Sequence, residues 1–144
     1  NMWYLWIFGD NVEDRLGHAR YLLFYLAAGL VAALLQYATH PDSRVPTVGA
    51  SGAIAGVLGA YAVAFPRARV VTLVPFFPFF QVIALPAVVV LGLWFVFQFF
   101  LGALSLGSTG GGVAWWAHIG GFAFGVLVMR LAGRRKSSRA WVDG

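Results

Sequence analysis

The sequence predicts an all-α membrane protein, a polytopic helix bundle in which one short helix carries a serine. Three observations point there. Hydrophobic residues make up 60% of the 144 residues and charged residues only 10%, with a mean hydropathy of +0.80, far from the composition of soluble domains. The apolar residues come in runs close to the roughly 20 residues that a spanning helix needs, enough for about four or five spans. Within those runs stand Ser51 and His118, and polar groups in hydrocarbon are costly unless they are paired or functional.

Each element can be justified in turn. Residues 1–8 are apolar but too short to span and lack a basic leading segment, so they read as the end of a helix rather than a signal peptide. Residues 9–20 gather Asp10, Glu13, Asp14, Arg15 and Arg20, which predicts a loop at the membrane surface. A span rich in Leu, Ala and Tyr follows over 21–39 and is ended by His40-Pro41-Asp42. Residues 51–65 predict a short helix stopped by Pro66, with Arg67 and Arg69 just beyond. The aromatic stretch 70–80 contains Pro75 and Pro78 and is expected to be an interfacial connector. The next span is expected over 81–104, with Pro86 near its start, then a Gly- and Ser-rich flexible loop at 105–112 and a last span over 113–131. This divides the chain into a membrane core, 1–132, and a basic tail, 133–144, that carries Arg134, Arg135, Lys136 and Arg139. No internal repeat is visible.

Orientation follows from the basic residues, which accumulate on the cytoplasmic side of short loops. Arg15, Arg20, Arg67, Arg69, Arg130 and the tail fall at alternate ends of the spans, and only Arg44 falls at the others. The C-terminus is therefore expected on the cytoplasmic side, with loops 41–48 and 105–112 outside; the setting expected for this multi-pass protein is the inner membrane of a bacterial cell. The tail would also suit anionic lipid, but topology explains it equally well. The expected partners are the lipid bilayer and membrane-embedded clients, with no nucleic acid.

Depth places the two polar residues together. From Ser51 to Pro66 an α-helix rises about 22 Å, against a hydrocarbon core of about 30 Å, so the serine lies below the outer surface. His118 lies about 18 Å from Arg130 on the same rise, at a similar height. Irregular backbone before the serine is tolerated at that depth only where protein or a water-filled cavity meets it, which gives water a route. By helical spacing Ser51, Ala55 and Gly59 share one face and His118, Gly121 and Gly125 another, with Gly49 and Gly52 as further packing residues at the site; Gly121-xxx-Gly125 is the spacing of tight helix packing. The glycines alone suit a plain packing seam just as well. Together with Ser51 and His118 they predict a serine–imidazole hydrogen bond.

Asp10, Glu13, Asp14, Asp42 and Asp143 all lie outside the expected spans, so no carboxylate is available for a triad. A dyad remains, in which His118 takes the proton of Ser51, returns it to the leaving amine and then activates water. There is no His-Glu-x-x-His, no aspartate pair within the spans and no cysteine, so no metal and no cofactor is expected.

Gly49-Ala50-Ser51-Gly52, His118 with Gly121-xxx-Gly125, and Asn1 with Val12-Glu13-Asp14-Arg15-Leu16-Gly17 together resemble the rhomboid family of intramembrane serine proteases, in the family's order and over nearly the whole chain. The resemblance implies a six-helix core, of which this chain holds the end of the second helix through the sixth. It implies Ser51 as nucleophile, His118 as base, and an oxyanion hole made by Asn1 and the Ser51 backbone N–H. Single-span membrane proteins are the expected substrates, and the topology with the depth of Ser51 places the expected cut near the extracytoplasmic side. Taken by itself, Asn1 reads as a frayed terminal residue.

Two departures from the family pattern stand out. The first helix, its lateral loop and the histidine one turn before the asparagine are not in this sequence, and Ala55 stands where some members carry an aromatic against the histidine. Orientation of the imidazole is then left to Trp115 or Trp116, which by themselves read as interfacial anchors. His18 and His40 read as solvated, and Glu13 with Arg15 as a structural loop pair. The alternative is a catalytically weak or inactive rhomboid-like protein that binds membrane clients; its signature would be loss of Ser51 or His118, and both are present. A small transporter should show inverted repeats or intramembrane ion ligands, and neither is seen.

Overall fold

Helices carry most of the architecture in the computed structural model, which describes residues 1–44, 46–47, 49–76, 78–106 and 113–137, without the side chains of 76 and 133–137. The expected loop 105–112 lies outside the described residues except for Ser105 and Leu106, and so does the tail from 138 onward.

The chain starts as one helical run. Helix α1 (Met2–Tyr4) passes through a π-helical turn (Leu5–Gly9) into α2 (Asp10–Leu16), with right-handed helical backbone at both junctions. The surface loop expected at 9–20 is thus mostly helix. Asp10 and Glu13 occupy the first turn of α2 and Arg15 its last turn, where each charge suits the helix dipole. Val12 is fully buried against the bundle, so the charges are the outer face of a packed helix. Gly17, at φ +83°, ends it in a conformation that glycine adopts without steric cost.

Helix α3 (His18–Thr39) is long and apolar. Helix α4 (Ser51–Ala64) ends before Pro66, which lacks the N–H of a further turn and disfavours helical backbone at Phe65, whose φ is −133°. Strands β1 (Arg69–Phe76) and β2 (Phe79–Pro86) then pair antiparallel, from Arg69 opposite Pro86 to Phe76 opposite Phe79. The expectation of an all-α chain with an irregular connector is corrected here. Prolines argue against an interior strand, but in a two-stranded ladder both strands are edges, where proline is tolerated, and the β-branched and aromatic residues favour extended backbone.

Helix α5 (Ala87–Ser105) consequently starts at Ala87 rather than near 81, directly after Pro86. Helix α6 (Trp115–Ser137) starts two residues later than expected and runs past the boundary drawn after Ala132. Among the described residues three helices are long and apolar enough to cross a membrane, His18–Thr39, Ala87–Ser105 and Trp115–Ala132, and Ser51–Ala64 is a shorter apolar helix. The chain is a multi-pass integral membrane protein.

Helix α4 is the centre of the bundle. It meets α6 most extensively and α3 next, while α5 and the N-terminal run close the other sides. Every residue from Gly52 to Tyr61 is buried. On α3, by contrast, Leu22, Leu23, Leu26, Leu30 and Leu34 are exposed, the pattern of a surface presented to lipid. Phe8 packs edge-on against Tyr61 at 4.9 Å, and the Arg15 guanidinium lies over the Phe65 ring at 5.7 Å. The N-terminal run therefore lies alongside α4 in the same direction, with Asn1 at the Ser51 end.

Candidate active site

The site is set by how closely the helix backbones approach. A Cβ added to Gly121 would collide with the carbonyl oxygen of Gly52, one on Gly125 with that of Gly56, and one on Gly59 with that of Phe122. On its other side α4 meets α3, where a Cβ on Gly52 would lie 2.5 Å from that of Ala32 and one on Gly56 2.6 Å from that of Ala28. Only glycine fits between such backbones. Gly52, Gly56 and Gly59 thus form the contact face on α4, whereas spacing alone suggests Ser51, Ala55 and Gly59. Gly49 does not belong to the seam: among described atoms its added Cβ would meet only Ser51 Oγ at 3.9 Å. Its φ of +133° makes it the residue that turns the chain into α4.

With Gly52 locked against Gly121, the residue before one and the residue one turn before the other are brought together. His118 Nε2 lies 2.9 Å from Ser51 Oγ, and His118 Nδ1 lies 2.7 Å from Gln98 Oε1 on α5. An amide oxygen can only accept, so the tautomer that suits both contacts is the one with the proton on Nδ1 and Nε2 free to accept from the serine hydroxyl. The Trp94 ring lies 5.9 Å from the imidazole and Trp115 meets it edge-on at 6.4 Å. Of the two tryptophans considered from sequence, Trp115 touches the histidine. Trp116 instead donates its indole N–H to the Gly102 carbonyl at 3.1 Å and packs on Phe99.

Two cavities meet at the serine. A small one of about 150 Å³ is lined by Asn1, Tyr4, Ser51, Leu58, Trp94, Gln98 and His118. A larger one of about 860 Å³, on the α3 side, is lined by Gln36, Tyr37, His40, Thr47, Ser51, Ser105 and His118 among others. Asn1 therefore opens on the same space as Ser51. The Ser51 N–H belongs to the first turn of α4, whose amides have no intrahelical partner and form the positive end of the helix dipole. Gln36 closes the α3 side by accepting the Ala117 N–H at 3.2 Å, satisfying an amide in the first turn of α6.

Gln98 and Gln36 escaped the sequence reading, although a signal was present. Each is a lone amide within an apolar span, and the cost of polar groups in hydrocarbon that singles out Ser51 and His118 applies equally to them. Nothing in the sequence marks Trp94 apart from the other tryptophans. Two smaller expectations are corrected. Glu13 pairs with His18 rather than with Arg15, which sits over Phe65. His40 is only partly exposed, bonding Thr39 Oγ1 at 3.1 Å and the Ser105 carbonyl at 3.5 Å, whereas the His18 side chain is 93% exposed as expected.

Comparison with known proteins fits this geometry. The family model for the Rhomboid domain matches residues 1–135. The chain is 33% identical over 132 residues to presenilin-associated rhomboid-like protein A, mitochondrial, of Danio rerio, covering 88% of this chain and 31% of that protein. It is 30% identical over 136 residues to rhomboid protein 1, mitochondrial, of Saccharomyces cerevisiae, covering 88% and 35%. A stretch of 56 residues is 46% identical to rhomboid protease GluP of Bacillus subtilis, covering 39% of this chain and 10% of that protein. The chain spans about a third of the length of the two mitochondrial relatives. No solved structure matches significantly. A family model that accounts for nearly every residue around the serine–histidine seam leaves one assignment: the chain belongs to the rhomboid family.

Proposed function

We propose that the chain is the core of an intramembrane serine endopeptidase that cuts single-span membrane proteins near the extracytoplasmic side. The observation that carries this reading is the 2.9 Å contact between Ser51 Oγ and His118 Nε2 inside an apolar bundle. His118 draws the proton from Ser51 as the hydroxyl attacks a substrate carbonyl, and returns it to the departing amine. It then activates water for hydrolysis of the acyl-enzyme. The developing oxyanion is held by the Ser51 N–H at the start of α4 and by the side chain of Asn1, which faces the same cavity. The larger cavity on the α3 side, with Gln36, Thr47 and Ser51 on its wall, supplies space for water. An inactive client-binding protein would have no need of an aligned serine and imidazole.

The positions of Arg15, Arg67, Arg69 and Arg130 support an orientation with the serine toward the extracytoplasmic side and the C-terminus in the cytoplasm. The setting read from the sequence is a bacterial inner membrane, whereas the relatives matched over 88% of the chain are mitochondrial. Helix α4, at 14 residues, rises only about 21 Å, so Ser51 lies part-way into the membrane. A helical substrate hides its carbonyls in hydrogen bonds, so the bond that is cut must come from a segment able to unwind at that depth.

The test is cleavage of a single-span substrate by the full-length protein in bilayers, with the products located by mass spectrometry. Ser51→Ala, His118→Ala and the double variant should each lose at least a thousandfold in kcat, the double being no worse than either single, because the two residues act as one unit. The cut should fall in the outer third of the substrate span. Turnover that survives Ser51→Ala, or a cut at the cytoplasmic end, would overturn the proposal.

A further inference from the structure

We infer that Gln98 is a positioning residue for His118, holding the imidazole in the tautomer that leaves Nε2 bare to act on Ser51; this rests on the serine–histidine reading above and names its third member. A neutral imidazole has two tautomers, and only the one protonated at Nδ1 can accept a proton at Nε2. Something must select it. In serine hydrolases with a triad a buried carboxylate does so, but among the described residues Asp10, Glu13, Asp14 and Asp42 all lie outside the spanning helices. Gln98 Oε1, 2.7 Å from Nδ1, is the acceptor actually in place. A neutral amide does the same selection without burying a charge in an apolar bundle.

The placement of Gln98 has structural supports of its own. Ala87, Leu91, Gln98 and Gly102 are the buried residues of α5, one inward stripe at helical spacing. One turn beyond Gln98, Gly102 accepts the Trp116 indole N–H at 3.1 Å, and a Cβ there would sit 3.3 Å from both Ile119 Cδ1 and Trp115 Cβ. This anchors α5 against the first turns of α6. One turn before Gln98, Trp94 lies against the imidazole and Phe122 at 5.9 Å each, limiting the ring's freedom to swing. Gln98 itself is 8% exposed. The chain thus invests the only buried polar side chain among the described residues in His118.

The test pairs a spectroscopic readout with kinetics in the full-length protein labelled with ¹⁵N-histidine in detergent micelles. The His118 signals are identified by their loss in His118→Ala. In the unsubstituted protein the nitrogen spectrum should show a protonated Nδ1 and a bare Nε2. Gln98→Leu should lose that preference and lower kcat by on the order of ten- to a hundredfold with KM nearly unchanged. Gln98→Glu, which keeps an acceptor oxygen in place, should restore the Nδ1 proton and most of kcat; a residue that merely packs would not be rescued in this way. If Gln98→Leu fails to fold, Gln98→Met provides the same comparison. A wild-type imidazole protonated at Nε2, a tautomer unmoved by Gln98→Leu, or equal losses in the Leu and Glu variants would overturn the inference. The tautomer is read without turnover. An Nδ1 proton lost in Gln98→Leu, alongside cleavage that survives Ser51→Ala, would uphold the hold of Gln98 on the ring and overturn the protease reading instead.

Discussion

Helix α4 and the β1–β2 hairpin are both strongly apolar, yet one is enclosed and the other open. All ten residues from Gly52 to Tyr61 are buried, whereas Val71, Phe80 and Val82 in the hairpin are each at least 70% exposed. Hydropathy does not separate the two; residue size does. Glycine and alanine in α4 let three helix backbones touch, as the contacts of Gly52, Gly56 and Gly59 show. The hairpin is rich in β-branched and aromatic residues, and most of its large side chains stand exposed. In a membrane, where lipid solvates large apolar side chains as well as protein does, close approach of small residues becomes the selective force. That force also brings Ser51 to His118.

The sharpest way to break this comparison is to make the same substitution in two helices. Gly121→Ala or Gly125→Ala forces a Cβ onto the α4 backbone and should cost about 3 kcal/mol or more in a denaturant titration of the detergent-solubilised protein. Gly92→Ala on α5 meets nothing within 4 Å among the described residues and should be neutral or stabilising by up to about 1 kcal/mol, because alanine restricts the unfolded chain more than glycine does. Equal costs at the two places would show that size is not what sorts buried from lipid-facing helix. At the smaller end, Phe80→Tyr and Val82→Thr in the hairpin, both at exposed positions, should each stay within about 0.5 kcal/mol of the parent in the same titration. A larger loss would mean that the hairpin is held by something that its exposure does not reveal.

The same contrast explains what could be read from the sequence. Ser51 and His118 were legible because polar residues in apolar runs stand out, and the Gly121-xxx-Gly125 spacing marked the seam beside them. Gly52 was legible beside the serine, but its partner Gly56 was less so, since which face of α4 meets α6 is decided by the whole three-helix packing. The helix at Asp10–Leu16 looked like a loop because its exposed charges outnumber its one buried anchor, Val12. The hairpin was hidden by Pro75, which breaks an interior strand but not an isolated pair, and by Pro78, which lies in the turn between the strands. Gln98 lay in plain view among phenylalanines, and only the tertiary placement of α5 gives its amide a partner.

The central claim is that the α4–α6 seam exists to activate one serine, and labelling with a fluorophosphonate tests it most directly. In the full-length protein, mass spectrometry of the labelled peptides should find a single adduct, on Ser51. The adduct should be absent from Ser51→Ala and reduced at least a hundredfold in rate in His118→Ala, with helical content unchanged in both. An adduct on a different serine, or labelling of Ser51→Ala at the parent's rate, would contradict the account.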